Sequence, residues 1–391
     1  MWSTIKRFWL FDDPRSYGAR AILRGAAEGL KANGKEVRLF PLPIDDPDHT
    51  RRLREDILKF QPDGILLANH PASHFYRQIG MQSMPCRTWV WIFDDPFFMG
   101  AERFSADEVV LVADPAFARG AKARGAVYTF FLPVAAPISM IGEKRNDYQI
   151  PIAYVGATMI PSDMRRHLNH AMATYLDEII AQKLLNPALG FEELLHRRPF
   201  APSQRIHLSG QLAYYLYAES NRLSRLRFLE PLAPLHLHLF GNEAWRPQIR
   251  STSLAPCFHG PLDPFDQYPH LICSASININ LRSLQGFDAP TQRDFLVPRE
   301  NGFLLSTHIR DHDKDWNADD PENRFDLSAF PWSPSFSSPQ ELAKAARHYL
   351  GDESARQEWI AHASRQITRN HTFAHRMEQL GKLMDDARIV L

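Results

Sequence analysis

The sequence contains few cysteines, no excess of charge of either sign and no long hydrophobic run. Its 391 residues include three cysteines, none in a Cys-x-x-Cys spacing, which argues against a disulfide framework or a cysteine zinc site. Lysine plus arginine number 45, as do aspartate plus glutamate, so no overall field favours nucleic acid or an anionic membrane. Acidic residues follow the first apolar segment too soon for a signal peptide, and no run approaches a membrane span. We therefore expect a cytoplasmic protein without a transmembrane segment.

The first strand–helix–strand unit lacks the glycine-rich turn of dinucleotide-binding proteins. Residues 6–11 have the composition of a buried strand, residues 18–33 carry apolar side chains at helical spacing, and residues 36–40 form the next strand. The turn after the first strand has no Gly-x-Gly-x-x-Gly, which a nicotinamide-dependent oxidoreductase of this fold class requires there. The same alternation of strands and helices continues along the chain, whose length exceeds one ordinary core. The pattern predicts two α/β domains.

The predicted domain boundary lies between residues 135 and 149. There Pro137, Gly142 and a charged run interrupt the apolar periodicity. We expect an N-terminal Rossmann-like domain over residues 1–140 and a second Rossmann-like domain over residues 150–370. Residues 371–391 are expected to form a closing helix that packs back on the first domain.

Two predicted strands of the first domain end in the same acidic turn. The sequence Trp-Leu-Phe-Asp-Asp-Pro, with Asp12 and Asp13, recurs as Trp-Ile-Phe-Asp-Asp-Pro, with Asp94 and Asp95. Because the carboxyl ends of parallel strands share one edge of a sheet, these carboxylates and His70 are expected to lie together and to hold or deprotonate a substrate hydroxyl. The alternative is structural, since aspartate before proline commonly caps a helix.

The most informative segment spans residues 259–307 in the C-terminal half. It predicts a turn followed by a short helix to Tyr268, a strand at 275–280, a polar loop at 282–290, a helix starting near Thr291 and a strand at 302–305. Ligands of open α/β sheets bind beyond the carboxyl ends of the strands, so this loop and helix start are expected to face a cleft.

Residues 293–305, RDFLVPRENGFLL, are similar to the Arg-x-Phe-Asp-Val-Pro-Ala-x-Gly-Gly-Phe-Leu-Leu signature of the CgeB-like proteins. These are bacterial glycosyltransferases with a GT-B fold, in which two Rossmann-like domains with parallel sheets face an interdomain cleft and C-terminal helices follow. The acidic residue of the family is replaced by Leu296, which removes the usual contact with the ribose hydroxyls, and either Asp294 or Glu300 is a candidate substitute.

The resemblance implies a cofactor-free glycosyltransferase that moves a sugar from a UDP-, GDP- or dTDP-sugar to an unidentified acceptor, such as a protein, a glycan or a small molecule. Arg293 and the backbone at Thr291, Asn301 and Gly302 would neutralise the leaving diphosphate. Asp94 or Asp95 would be the acceptor base, with Asp12, Asp13 and His70 on the acceptor side. The other donor-binding residues would be Gly156, Gly241, Asn242, Gly260, Tyr268, Asn278 and Asn280.

No metal is expected. Residues 311–322 have the carboxylate register of a calcium loop, but Trp316 stands where the sharp turn needs glycine. His236 and His238 lack a third ligand nearby. A second interpretation is that the chain is a degenerate GT-B-like binding or assembly protein without transferase activity, because Leu296 replaces the acidic residue of the family.

Overall fold

The fold contains two parallel β-sheets, one formed by each half of the chain. In this computed structural model the described residues are 2–12, 17–41, 46–83, 86–99, 102–144, 150–160, 163–198, 210–286, 288–308 and 330–386. The predictions for Asp13 and for the calcium-like segment 311–322 lie outside the described residues, as does the placement of the Asp12 side chain.

The first sheet has six strands in the order β2-β1-β3-β4-β5-β6, all parallel. Its strands are β1 Arg7–Asp12, β2 Glu36–Pro41, β3 Gly64–Ala68, β4 Arg87–Ile92, β5 Val109–Val112 and β6 Tyr128–Phe131. Its helices are α1 Tyr17–Ala32, α2 Pro47–Phe60, α3 Ala72–Gln78 and α4 Ala116–Ala123. The four residues of β5 are all buried, as expected for a parallel sheet covered on both faces.

The second sheet also has six parallel strands, in the order β12-β11-β10-β7-β8-β9. Its strands are β7 Ile150–Val155, β8 Leu237–Phe240, β9 Phe258–Gly260, β10 Ala275–Asn280, β11 Leu304–Thr307 and β12 Ser335–Phe336. The helices in this half of the chain are α5 His170–Leu185, α6 Phe191–Arg197, α7 Gly210–Leu229, α8 Trp245–Ile249, α9 Gln267–Ser274, α10 Gln292–Arg299, α11 Pro339–Gly351 and α12 Glu353–Asn370, and α13 Phe373–Asp386 follows them.

Two predicted element starts in the second half are wrong. The helix expected to reach Tyr268 begins only at Gln267, because the Asp263 carboxylate accepts the N–H groups of Phe265 and Asp266 and holds the preceding residues in a turn. The last core strand begins at Leu304 rather than at residue 302. Asn301 has a φ of 56°, and this left-handed turn delays the strand.

The last helix, α13, packs on α1 of the first half. Phe373, Met377, Leu380 and Met384 of α13 belong to the same buried core as the first sheet. The close approach requires Gly25 and Gly29 of α1, since a Cβ at Gly29 would lie 2.3 Å from the carbonyl oxygen of Phe373. The C-terminal end of the chain therefore closes the hydrophobic core of the N-terminal half.

We expect Gly29→Ala to lower the free energy of unfolding by about 1–3 kcal/mol, because the added methyl must push two backbones apart. Gly18→Ala in the same helix is the matched control. A Cβ there meets nothing within 4 Å, so the higher helix propensity of alanine adds up to about 1 kcal/mol. Urea unfolding of both variants checks the opposite signs, and equal effects would contradict the packing explanation.

The segment between the sheets is held by α10. The buried Glu300 carboxylate accepts the N–H groups of Ile141, at 3.0 Å, and of Gly142, at 2.7 Å. Arg299 donates to the carbonyls of Pro137 and Ile138. These side chains fix the connection between the two sheets on the second half.

Candidate functional site

The Asp94 carboxylate lies where the two halves of the chain meet. Its Oδ2 accepts a hydrogen bond of 2.7 Å from Asn69, which follows β3. Its Oδ1 accepts one from Gln285, which belongs to the loop after β10. Asn69 has a φ of 61°, and its Oδ1 also accepts the N–H of Phe93 at 2.7 Å. Asn69 of the first half and Gln285 of the second half therefore both position Asp94.

The Asp94 side chain is solvent-accessible, yet both halves surround it. Desolvation raises the pKa of Asp94, and the hydrogen bonds from Gln285 and Asn69 and the charge of His70 act in the opposite direction. A carboxylate with a raised pKa that still reaches solvent is suited to take a proton from a bound hydroxyl.

Asp95 has a different environment from its neighbour. Its Oδ1 accepts the N–H of Phe97 at 3.0 Å and caps the 3-10 helix Pro96–Met99. Desolvation raises the pKa of Asp95, with Arg124 and Lys183 among the charges that lower it. Asp95 therefore fits the helix-capping alternative, whereas Asp94 lies between the two halves of the chain.

On the second half, three glycines lie at the carboxyl ends of adjacent strands. The N–H of Gly156 after β7 donates to the carbonyl of Phe240, at 2.9 Å, and the N–H of Gly241 donates to that of Gly260, also at 2.9 Å. A Cβ on Gly241 would lie 2.3 Å from the Gly156 oxygen, and Gly260 has a φ of 91°. The edge is consequently lined by backbone.

Asn242 ties two loops of this edge together. Its side-chain amide accepts from the N–H of Thr158 at 2.9 Å and donates to the Thr158 carbonyl at 3.1 Å. Trp245 supports the same turn, since its indole N–H donates to the Gly156 carbonyl at 2.8 Å.

Two arginines flank Gly156. Arg293, in the first turn of α10, donates to the carbonyl of Val155 and lies 5.8 Å from the ring centre of Tyr154. It also bonds to the hydroxyl of the buried Tyr268. Burial raises the pKa of Tyr268, and the charge of Arg293 offsets part of this rise. Arg225 of α7 donates to the carbonyl of Ala157. The sequence analysis missed Arg225, which lies in the middle of a helix without a motif around it.

Asn278 and Asn280 of β10 are buried. The Asn278 amide donates to the carbonyls of Ile272 and Phe303. The Asn280 amide donates to the side chains of Thr291 and Ser306. Both amides therefore join elements within the core, and the role of these asparagines as donor ligands stays a prediction.

The N terminus of α10 is neutralised by its own carboxylate. Asp294 accepts the backbone N–H of Thr291 at 2.7 Å in a capping box. It also pairs with the buried Arg282 at 2.6 Å. The Thr291 N–H expected to hold a diphosphate is therefore already bonded, and Asp294 is not available as a substitute for the missing family acid.

Asn301 and Gly302 lie at the opposite edge of the second sheet. The helix α10 starts after the carboxyl end of β10 and ends before the amino end of β11, and its eight residues span about 12 Å. Gly302 is buried, where a Cβ would lie 2.5 Å from Ile272. Their prediction as diphosphate ligands is corrected, since this pair forms the turn that leads into β11.

A cavity of about 650 Å³ opens beside the carboxyl ends of β10 and β11, within the usual range for small-molecule sites. None of the predicted donor residues lines it. Its polar lining includes Arg197, Arg227 and Arg282, and its apolar lining includes Leu184, Phe228 and Leu284.

Asp114 joins the two halves in a buried position. Its Oδ1 accepts the N–H of Ala116 at 2.9 Å, and its Oδ2 accepts that of Asp288, on the second half, at 3.0 Å. Burial, followed by the charge of Asp288, raises the pKa of Asp114 from 3.8 to about 7. This contact is therefore sensitive to pH.

Because the folded chain holds the Asp114 proton between about pH 4 and about pH 7, where the unfolded chain has lost it, stability is expected to fall as pH rises through this window. Asp114→Asn is expected to make the free energy of unfolding fall less steeply between about pH 5 and about pH 7, as measured by urea unfolding. Burial also raises the pKa of Glu108 to about 7, so a residual slope remains that Glu108→Gln would reduce. An unchanged slope in Asp114→Asn would contradict this assignment.

Comparisons with known proteins agree with this architecture. Residues 224–382 match the model of a family described as glycosyl transferase-like. No curated protein sequence matches the chain. An alpha-glucosyltransferase solved with UDP and a 13-mer DNA is 9% identical, with a TM-score of 0.50 over 97% of this chain and 99% of that chain.

The catalytic domain of starch synthase IV from Arabidopsis thaliana, solved with ADP and acarbose, is 10% identical, with a TM-score of 0.49 over 98% and 99% of the two chains. The fold is GT-B, with two parallel six-stranded sheets and flanking helices. Among the described residues, no helix combines the length and apolar character that crossing a membrane requires.

Proposed function

We propose that this protein is a glycosyltransferase that binds a nucleotide-sugar on the second half and its acceptor on the first. The observation that carries the proposal is the pair of arginines that flank Gly156, at an edge lined by glycine backbone. A diphosphate needs concentrated positive charge and close backbone approach, and arginine provides a planar set of donors for it. The glycosyl transferase-like match over residues 224–382 includes Arg225 and Arg293.

In the proposed reaction Arg293 and Arg225 stabilise the charge that develops on the leaving diphosphate. Gly156, Gly241 and Gly260 leave room for the donor, and Asn242 holds the loops that surround it. Tyr268 positions Arg293 from behind. Asp94 takes the proton of the acceptor hydroxyl, and Gln285 holds that carboxylate against the donor half.

The ribose hydroxyls of the donor need a carboxylate other than the two that the sequence analysis offered. Leu296 stands at the family position, Asp294 pairs with Arg282, and Glu300 holds residues 141–142. Glu243, in the loop after β8, is exposed, and its Oε2 pairs with the exposed Arg246. Its Oε1 lies near the Gly260 turn, since a Cβ on Gly260 would be 3.6 Å from it. We propose Glu243 for this role.

A binding or assembly protein without transferase activity is the second candidate. This alternative is favoured because Asp294 and Glu300, the two expected replacements for the missing acid, are both engaged in structural contacts. Such a protein keeps the GT-B fold without needing a nucleotide-sugar.

A thermal-stability panel of UDP-, GDP-, dTDP- and CMP-sugars and the free nucleoside diphosphates tests the proposal. A ligand that binds only the folded chain raises the melting temperature, and we expect one nucleotide class to do so. If no nucleoside diphosphate or nucleotide-sugar binds the folded chain in calorimetry, the binding-protein alternative is favoured. The acceptor class stays open to a protein, a glycan or a small molecule.

A further inference from the structure

Three potential metal ligands come together after β3, at the acceptor side of the cleft. The ligand atoms of His70, His74 and Glu102 all lie within 4.8 Å of one another. His70 Nδ1 is 3.1 Å from Glu102 Oε2, and His74 Nδ1 contacts Glu102 Oε1. The sequence analysis named only His70 and expected no metal.

We propose that His70, His74 and Glu102 bind a divalent transition-metal ion of the zinc class. Two imidazoles and one carboxylate are a donor set that zinc accepts, and ligands bound at 2.0–2.1 Å in a tetrahedron lie about 3.3 Å apart. The 3.1 Å between His70 Nδ1 and Glu102 Oε2 is close to that spacing. Because the three ligand atoms all lie within 4.8 Å of one another, small side-chain movements bring them to the spacing that a shared ion needs.

The orientation of the two rings supports the site. His70 and His74 are stacked, with ring centres 4.4 Å apart and planes inclined by 16°, and the Nδ1 atom of each contacts the Glu102 carboxylate. His74 Nε2 lies 2.9 Å from the side-chain amide of Gln78, one helical turn later. The amide nitrogen of Gln78 is a donor, so it donates to Nε2 and places the ring proton on Nδ1, facing Glu102. A metal at Nδ1 replaces that proton, and the Gln78 amide then turns so that its oxygen accepts from Nε2–H and fixes the ring.

The cluster is accessible and lies beside the proposed base. The exposed fractions of the side chains are 50% for His70, 31% for His74 and 21% for Glu102. Three protein ligands leave one position of a tetrahedral ion for water or a substrate oxygen, the arrangement of catalytic rather than structural zinc. His70 directly follows Asn69, which donates to Asp94. A bound dication there would favour the ionised form of Asp94.

Zinc titration of the metal-stripped full chain by calorimetry tests the site, with the visible spectrum of the cobalt(II) form as a second measurement. We expect one ion per chain and a tetrahedral cobalt spectrum. His74→Ala and Glu102→Gln are expected to abolish binding, and Gln78→Ala to weaken it about 10- to 100-fold. His259→Ala is the control, because it removes an imidazole from a different stacked pair, with His238 at 4.7 Å, and leaves binding unchanged.

Two results would overturn the proposal. One is a folded wild-type chain that binds neither zinc nor cobalt, which would show that Glu102 only bridges the two histidines by hydrogen bonds. The other is stoichiometric zinc binding that persists in both His74→Ala and Glu102→Gln. The wild-type cobalt spectrum decides the matter even if a variant fails to fold.

Discussion

Asp94→Asn is expected to lower the turnover of sugar transfer about 10²- to 10⁴-fold, the usual contribution of a positioned general base. The change removes the proton acceptor and keeps the shape of the side chain, and its single oxygen keeps one of the two hydrogen bonds donated by Asn69 and Gln285. Donor affinity is expected to stay near the wild-type value, since the donor is proposed to bind the second half. The measurement is release of nucleoside diphosphate from whichever donor stabilises the chain, together with calorimetric donor binding.

Asp95→Asn is the matched control for this change. Asparagine caps a helix about as well as aspartate, and the Asp95 carboxylate caps the 3-10 helix that follows it. We therefore expect near-normal turnover and stability in this variant. Full turnover in Asp94→Asn, or equal losses in the two variants, would exclude Asp94 as the base.

Arg293→Ala is expected to weaken binding of the nucleoside diphosphate about 10- to 100-fold. A hydrogen bond to a charged group contributes about 1.5–3 kcal/mol, and each 1.4 kcal/mol changes affinity about tenfold. The remaining affinity is attributed to Arg225 and to the glycine backbone at Gly156. Calorimetric titration with the diphosphate measures the effect, and the melting temperature of the free variant shows whether its bonds to Val155 and Tyr268 also matter for folding.

Arg293→Lys and Arg51→Ala complete this experiment. Lysine keeps the charge without the planar fork of donors, so we expect it to recover only part of the affinity. Arg51 is exposed and pairs with Asp48 on α2 of the first half, so its loss is expected to leave diphosphate binding unchanged. An unaltered affinity in Arg293→Ala would remove the central residue of the proposed donor site and favour the binding-protein alternative.

The strands were largely predictable from the sequence because their signal is local. The strand prediction at 275–280 matches β10 residue for residue, and the one at 36–40 differs from β2 by a single residue, since apolar runs or alternation bounded by turn residues define a strand within a few positions. The starts of α9 and β11 were not predictable in this way. They depend on the Asp263 side chain and on the left-handed conformation of Asn301, and neither changes the apolar pattern.

The residues of the candidate site fall into two groups, those that the local sequence indicated and those that only the fold brings together. Asp94, Arg293 and the strand-end glycines carried a signal, because strand ends and a family-like motif marked them. Gln285, Arg225, His74 and Glu102 carried none, because each lies in an ordinary loop or helix and meets its partner only through the fold. The motif itself misled at Asn301 and Gly302, since α10 carries the two ends of the motif to opposite edges of the sheet.

The amino-acid sequence by itself determined the strand and helix pattern of the two halves, the glycines at the strand ends and the acidic turn that contains Asp94, because each depends on neighbours along the chain. Only the tertiary structure decided which polar groups are already bonded: Asp294 to Arg282, Glu300 to residues 141–142, and Asp94 to Asn69 and Gln285. Hydrogen bonds act over about 3 Å, and residues up to about 190 positions apart reach that distance only after the two sheets have packed.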